Sequence, residues 1–280
     1  MTIGGLYRNV RAKFRAAELE TPDLDARILV SAALDLSTSQ MLLREDELAP
    51  DAARLQIEHY AAQRLMGMPV GRILGEREFW GLSFALNAST LEPRPDTETL
   101  VDAVLSRMKP EAAVVLADIG TGTGAIAIAL LSELAQARCV AIDLSESALD
   151  CACANAKRHG VDERFFGVCA DHATALGVGF DWIISNPPYI RTEVMEQLSC
   201  EVRENDPALA LDGGEDGLDA YRVIVAQAAA VLAPMGRIAL EIGFDQAEEV
   251  QILLCSGGFR DVEIIQDLSG NDRVLVAAKG

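Results

Sequence analysis

The run Val114-Val115-Leu116-Ala117-Asp118-Ile119, then Gly120-Thr121-Gly122-Thr123-Gly124, then Ala125-Ile126-Ala127-Ile128-Ala129-Leu130-Leu131 leaves few folds open. A short apolar run followed by alternate glycines and a second apolar run reads as strand, tight turn and helix. That order is the first turn of a doubly wound nucleotide-binding α/β unit. Glycine lets the backbone turn sharply and lets a ligand approach without meeting a Cβ. The spacing is G-x-G-x-G and the loop holds no Lys. It therefore departs from the dinucleotide fingerprint and from the phosphate-binding P-loop.

The next two strands extend the same edge. Cys139-Val140-Ala141-Ile142 reads as the second strand and ends at Asp143. A carboxylate about twenty residues past the glycines is placed to accept from ribose hydroxyls, although an Asp here could also cap the helix that follows. Phe165-Phe166-Gly167-Val168-Cys169 reads as the third strand and leads to Asp171, where a carboxylate could accept from an exocyclic adenine amine.

A second motif follows a buried strand, Phe180-Asp181-Trp182-Ile183-Ile184-Ser185, as Asn186-Pro187-Pro188-Tyr189. Two prolines fix φ twice and remove two backbone donors, so the chain leaves the sheet in a stiff, extended turn. Open α/β sheets bind ligands at this carboxyl edge. The Asn186 amide oxygen and the Pro187 carbonyl could each accept one hydrogen of an –NH2 group, and Tyr189 could cover its flat face. The alternative is a rigid turn with no chemistry; the glycine loop upstream favours a site for an amino or amide nitrogen.

Composition sets limits. Six cysteines fall mostly in strand or helix interiors, none as C-x-x-C, and three His are scattered. This reads as structural thiols in a reducing compartment, with neither a disulfide framework nor a metal site. No apolar run approaches the ~20 residues of a membrane span. The first residues carry Arg8, Arg11, Lys13 and Arg15 without an apolar signal core, so a cytoplasmic protein is expected. Charge is uneven: residues 1–75 hold 9 Lys and Arg against 10 Asp and Glu, and residues 76–280 hold 15 against 33. So acidic a carboxyl-terminal part repels a phosphate backbone; no direct nucleic-acid contact is expected, and a basic protein partner or plain solubility explains it better.

Along the chain, Tyr7-Val10-Phe14-Leu19, Leu24-Ile28-Leu29-Ala32-Leu36 and Ala53-Leu55-Ile57-Tyr60-Leu65 read as the apolar stripes of helices. The expected division is a helical domain over 1–75, a β-hairpin linker over 76–92 with Gly81 at its turn, and the α/β domain over 93–280. Arg94, held between Pro93 and Pro95, is placed either to pair with a site carboxylate or to brace the linker. Residues 191–215 are polar and without periodicity, and so long a loop is expected to form a lid or wall over the site. Residues 217–233 read as a helix and residues 237–242 as the fifth strand.

With these pieces in place, the chain resembles the class I S-adenosylmethionine-dependent methyltransferases. More narrowly it resembles the HemK-type protein-(glutamine-N5) methyltransferases that modify peptide chain release factors. The likeness is carried by Phe79-Trp80-Gly81, Pro93-Arg94-Pro95-Asp96-Thr97-Glu98, the Asp118 to Gly124 loop, Asn186-Pro187-Pro188-Tyr189-Ile190, Asp206-Pro207-Ala208-Leu209-Ala210-Leu211, Asp216-Gly217-Leu218-Asp219 with Tyr221-Arg222, and Asp272-Arg273-Val274. It implies a Rossmann-like sheet, mostly parallel with an antiparallel last strand, beside a small N-terminal helical domain that docks the protein substrate. It implies S-adenosyl-L-methionine as methyl donor and S-adenosyl-L-homocysteine as product. Gly120, Thr121, Gly122, Thr123 and Gly124 would wrap its methionine part, Asp143 the ribose and Asp171 the adenine edge. Asn186 would touch cofactor and substrate, with Pro187, Pro188 and Tyr189 completing the catalytic motif. His172 stands where many members carry an aromatic residue. The implied partner is a release factor, modified at the Gln of its Gly-Gly-Gln tripeptide by a monomeric enzyme. A ribosomal protein's glutamine, an adenine amine of DNA, or a non-catalytic role as an S-adenosylmethionine-binding partner are the alternatives.

Overall fold

The chain separates into two units, Met1–Glu76 and Arg77–Gly280, in a computed structural model that describes all 280 residues. The first unit is helical: α1 (Ile3–Ala16), α2 (Pro22–Leu34), α3 (Thr38–Leu43), α4 (Asp51–Leu65) and α5 (Val70–Leu74). Thr2 caps α1 by accepting from the Gly5 amide at 3.1 Å, and Ser37 with Gln40 forms a capping box on α3. Ile3, Leu6, Val10, Phe14, Leu29, Val30, Met41 and Ile57 meet in its core. The stripe read along α4 is corrected at Leu55, which is 69% exposed. Positions 53, 55 and 57 follow the period of a strand, whereas a helix buries i, i+4 and i+7; Ala53, Ile57, Ala61 and Arg64 are the residues that face inward.

A hairpin follows, β1 (Glu76–Phe79) and β2 (Leu82–Ala85), all but its first residue in the second unit. Trp80 and Gly81 both have positive φ, +54° and +68°, which matches a tight two-residue turn to strand twist. Phe79 and Phe84 pack edge to face at 6.2 Å within the core, and Ala85 donates its amide to Asn155 Oδ1.

The central strands are β3 (Val115–Ile119), β4 (Arg138–Asp143), β5 (Phe165–Cys169), β6 (Phe180–Ser185), β7 (Leu232–Glu241), β8 (Phe259–Gln266) and β9 (Asp272–Lys279). They form one seven-stranded sheet in the order β5-β4-β3-β6-β7-β9-β8, with β9 antiparallel to both neighbours. Helices α6 (Glu98–Leu105), α7 (Ala125–Glu133), α8 (Glu146–Arg158), α10 (Asp219–Val231) and α11 (Ala247–Ser256) cover it, and α9 (Cys200–Asn205) lies in the long connection after β6. Both faces are buried: Leu116, Trp182 and Ile184 pack with α6 and α7, while Ala117, Ile119 and Ile183 pack with α10 and α11. That is why these strands read as continuous apolar runs.

Order reverses between β3 and β6, which opens a crevice at their carboxyl ends. The glycine loop leaves β3 and the Asn186 motif leaves β6, so the two motifs are neighbours across one ladder, with Ile119 paired to Ser185. Two details differ from the sequence reading. Strand β7 starts at Leu232, five residues early, because a register shift beside β6 accommodates Pro234, Gly236 and Met235 at φ +67°. Residues 191–215 are not plain loop: they hold the 3-10 turns Thr192–Gln197 and Ala208–Ala210 and the short α9. No helix is long and apolar enough to cross a membrane.

Candidate active site

The crevice holds a cavity of about 310 Å³, within the size range of small-molecule sites. Gly120, Gly122, Asp143, Asp171, Asn186, Pro187 and Pro188 line it, together with His172, Ser185 and the apolar side chains of Ile119, Ile142, Leu144 and Ile224. No Lys or Arg is on its wall. A largely apolar cleft with carboxylates on one side suits a neutral or cationic nucleoside better than a phosphate.

Hydrogen bonds shape the glycine loop. The amides of Gly120 and Thr121 both donate to the Ile142 carbonyl, at 2.8 and 2.9 Å. Gly122 donates to Asp143 Oδ2 at 2.9 Å, and Asp143 Oδ1 accepts from the Ser145 amide at 2.9 Å. Ser145, not Asp143, caps α8. Asp143 therefore braces the loop from the neighbouring strand end while its carboxylate stays on the cavity wall. A Cβ on Gly120 or Gly122 would meet no protein atom within 4 Å, so both open onto free space.

Thr121, Thr123 and Gly124 do not line the cavity. Thr121 is buried, and its hydroxyl donates to Asp118 Oδ2 at 2.7 Å. Thr123 is buried and gives its carbonyl to Asn155 Nδ2. Gly124, at φ +80°, lies against Ile128 and Ala152. Asp118 is fully buried; burial pushes its carboxyl up to about 7, and its Oδ1 has no hydrogen-bond partner.

Asn186 is anchored from outside its own strand, as its Nδ2 donates to Thr97 Oγ1 at 3.1 Å. Ser185 beneath it donates to the Ile119 carbonyl at 2.6 Å. The prolines are held from the other side by residues 211–217. Ile190 donates to Leu211 O and accepts from the Gly213 amide, and a Cβ on Gly213 would stand 2.8 Å from Pro188 O. Only glycine lets the chain pass that close. Gln246 Nε2 then occupies the Tyr189 carbonyl at 3.1 Å.

Tyr189 is absent from the cavity wall. Its ring is half-buried, and its pKa is pushed up to about 12 by desolvation and by the nearby Glu241 charge, with Arg273, Arg94 and Asp96 also close. Asp171 and His172 sit together at the cavity's far end, Nδ1 to Oδ1 2.6 Å apart, with His172 at φ +50°.

Pro207, Leu209 and Ala210 line the cavity from the long connection, as the wall expected of residues 191–215. Residues missed by the sequence reading complete the place: Ala88, Ser89 and Leu91 line the cavity from the segment after the hairpin. Thr97 supports Asn186, and Glu241 is buried at the end of β7 on the same sheet edge. A Glu set in the apolar run Leu240-Glu241-Ile242 at a strand's carboxyl end was the available signal for the last of these.

Comparison with known proteins agrees with this geometry. The PrmC N-terminal domain matches residues 6–75, and the methyltransferase small domain matches residues 96–266. A release factor glutamine methyltransferase of Bradyrhizobium diazoefficiens is 45% identical over 99% of this chain and 95% of that one. One from Agrobacterium fabrum is 42% identical over 95% of this chain and 93% of its own length. A solved methyltransferase of Pyrococcus furiosus shares the fold at 18% identity, with a TM-score of 0.55 over 80% of this chain and 99% of that one.

Proposed function

We propose a reaction for this chain, which belongs to the release factor glutamine methyltransferase family: methyl transfer from S-adenosyl-L-methionine to the side-chain amide nitrogen of the Gln in the Gly-Gly-Gln motif of peptide chain release factors. The observation that carries it is the shared wall of one cavity, where Gly120, Gly122 and Asp143 stand beside Asn186, Pro187 and Pro188.

The residues fit the donor. Two glycines without a Cβ border the cavity, its lining is apolar, and Asp143 and Asp171 supply acceptors for hydroxyls and an amine. When bound there, S-adenosyl-L-methionine would supply an electrophilic methyl group on a sulfonium. Gly120, Gly122, Asp143 and Asp171 would hold it, while the buried Thr121, Thr123 and Gly124 shape the loop.

An amide nitrogen is a weak nucleophile because its lone pair is delocalised into the carbonyl. The work left to the protein is orientation, a source of several kcal/mol when the reacting atoms are held in line. Asn186 Oδ1 and the Pro187 carbonyl accept the two amide hydrogens and direct the nitrogen. Pro187 and Pro188 keep both acceptors from rotating away. Tyr189 belongs to the amide side of the site. The proton leaves to water once the methylated nitrogen has become acidic, so no general base is required. The helical first unit receives the release factor.

The test is single-turnover transfer by the wild type and by Asn186→Ala, with donor affinity measured alongside. The variant is expected to bind S-adenosyl-L-methionine within about threefold of the wild type and to lose at least about a thousandfold in rate. Near-full activity in Asn186→Ala would refute the orienting role.

A further inference from the structure

Asp171 and His172 follow β5 on the same rim as the glycine loop, and both line the cavity. The turn they occupy is clamped from two sides. Thr174 Oγ1 donates to the Asp171 carbonyl at 2.7 Å, and the Ala173 amide donates to Gln227 Oε1 of α10 at 2.7 Å. His172 is held at φ +50°, a conformation that residues other than glycine seldom adopt. Neighbouring side chains point to opposite faces in a strand and diverge in a helix. The left-handed turn brings these two together instead, with His172 Nδ1 2.6 Å from Asp171 Oδ1.

A carboxylate only accepts, so Nδ1 carries the hydrogen and donates it. The bond restrains a group that is otherwise loose. The Asp171 side chain is 68% exposed, against 27% for His172, and no Lys or Arg lies on the cavity wall to hold it. With Oδ1 tied, the plane of the carboxylate is set. Oδ2 has no hydrogen-bond partner within the chain and is left to a ligand. A fixed acceptor reads the edge of a base by the sign of its hydrogen bonds. A 6-amino purine presents a donor there and completes a bond; a 6-oxo purine presents an oxygen, and two acceptors meet. A carboxylate free to turn into solvent would lose the amine and escape the oxygen alike.

We propose that His172 is a positioning residue for the methyl donor: by pinning Asp171 it makes the cavity select a 6-amino purine over a 6-oxo purine. This rests on the donor reading above and gives work to a side chain which that reading leaves unused.

The experiment titrates the full chain by calorimetry with S-adenosyl-L-homocysteine and with S-inosyl-L-homocysteine, which differ at the 6-position of the purine, so no turnover enters the readout. Wild type should bind the adenosyl compound at least about thirtyfold more tightly, as a hydrogen bond to a charged group allows. His172→Phe keeps a ring but removes the donor, and its preference should fall to about fivefold or less. His172→Asn should stay within about threefold of the wild-type preference, because an Asn amide can donate to Asp171 and tolerates positive φ. In Asp171→Ala the preference should be small, and adding His172→Phe should not reduce it further. A His172→Phe that keeps the wild-type preference would overturn the proposal, since a ring that merely stacks on the base serves amino and oxo purines alike. So would a His172→Asn no more selective than His172→Phe, or a further loss on adding His172→Phe to Asp171→Ala. Should His172→Phe not fold, His172→Ala takes its place. A wild type that binds neither compound overturns the donor reading and this inference with it; a wild type that binds both equally overturns the inference and leaves the donor reading standing.

Discussion

Arg94 Nη2 donates to Asp206 Oδ2 at 2.5 Å, joining residues 112 positions apart in the chain. The Asp206 side chain is 3% exposed, and Pro207, Leu209 and Ala210 immediately after it line the cavity. The pair ties the proline-flanked segment before α6 to the wall over the donor site.

Breaking that tie should loosen the wall. Arg94 is itself 43% exposed, so solvent screens the pair and its worth is about 1 kcal/mol, or about fivefold in Kd. Arg94→Ala is therefore expected to weaken S-adenosyl-L-methionine binding about fivefold by calorimetric titration. An unaltered Kd would mean the wall holds without it.

The alternate glycines divide into two roles that a pair of substitutions separates. Gly122 at φ +55° faces open space, so Gly122→Ala adds a methyl group to the donor cavity and should cost affinity, with about 1 kcal/mol of backbone strain and no crowding. Gly124 at φ +80° would place a Cβ 2.9 Å from Ile128 Cδ1 and 3.2 Å from Ala152 Cβ. Gly124→Ala should cost about 2 kcal/mol of stability from strain and crowding together. Paired Tm and Kd measurements check both; equal losses of both quantities in the two variants would defeat the division.

The sheet was largely legible because its strands, buried on both faces, are uninterrupted apolar runs, and because Gly120 to Gly124 and Asn186 to Tyr189 each mark a strand end. The start of β7 was hidden: Pro234 and Gly236 are loop signals, and only pairing with β6 shows that a bulge absorbs them. The buried face of α4 was blurred because Arg64, a charged residue, takes a core position by pairing with Asp25, while Leu55 faces water. At the site, Asp143 and Asn186 could be placed from their strand ends. Thr97 could not, since what makes it matter is proximity to Asn186 across 89 residues. Thr121 and Thr123 show the converse, as sharing a motif with Gly120 did not put them on the same surface.

The pair Arg64 and Asp25 gives a test of the first unit. Arg64 Nε donates to Asp25 Oδ2 at 2.7 Å, and both side chains are 6% exposed. Removing one member of a buried pair leaves the other charge without its main counterpart, at a cost of about 3 kcal/mol or more. Arg64→Ala should lower the denaturant midpoint of the first unit's transition accordingly, and a change under about 1 kcal/mol would contradict the buried pairing.

Stability should also depend on pH in a defined sense. Burial raises the Asp118 carboxyl from 3.8, and the Glu241 carboxyl from 4.5, each to about 7. The folded state then binds protons more tightly than the unfolded chain. Stability from these groups is full below about pH 4 and is lost as pH rises through about 7. Glu241→Gln should match the wild type in Tm below about pH 4 and gain on it by pH 8, by up to a few kcal/mol. A variant less stable than wild type at pH 8 would show that the charged form is favoured by the fold.

The central claim is that one crevice brings a methyl donor to a glutamine amide. Its most direct measurement is transfer of labelled methyl from S-adenosyl-L-methionine by the purified protein to a release factor, wild type against its Gln→Ala form. The account predicts one label per wild-type release factor, on the Gly-Gly-Gln glutamine, and none on the altered form. Label persisting on the Gln→Ala release factor, or none on either, would contradict it.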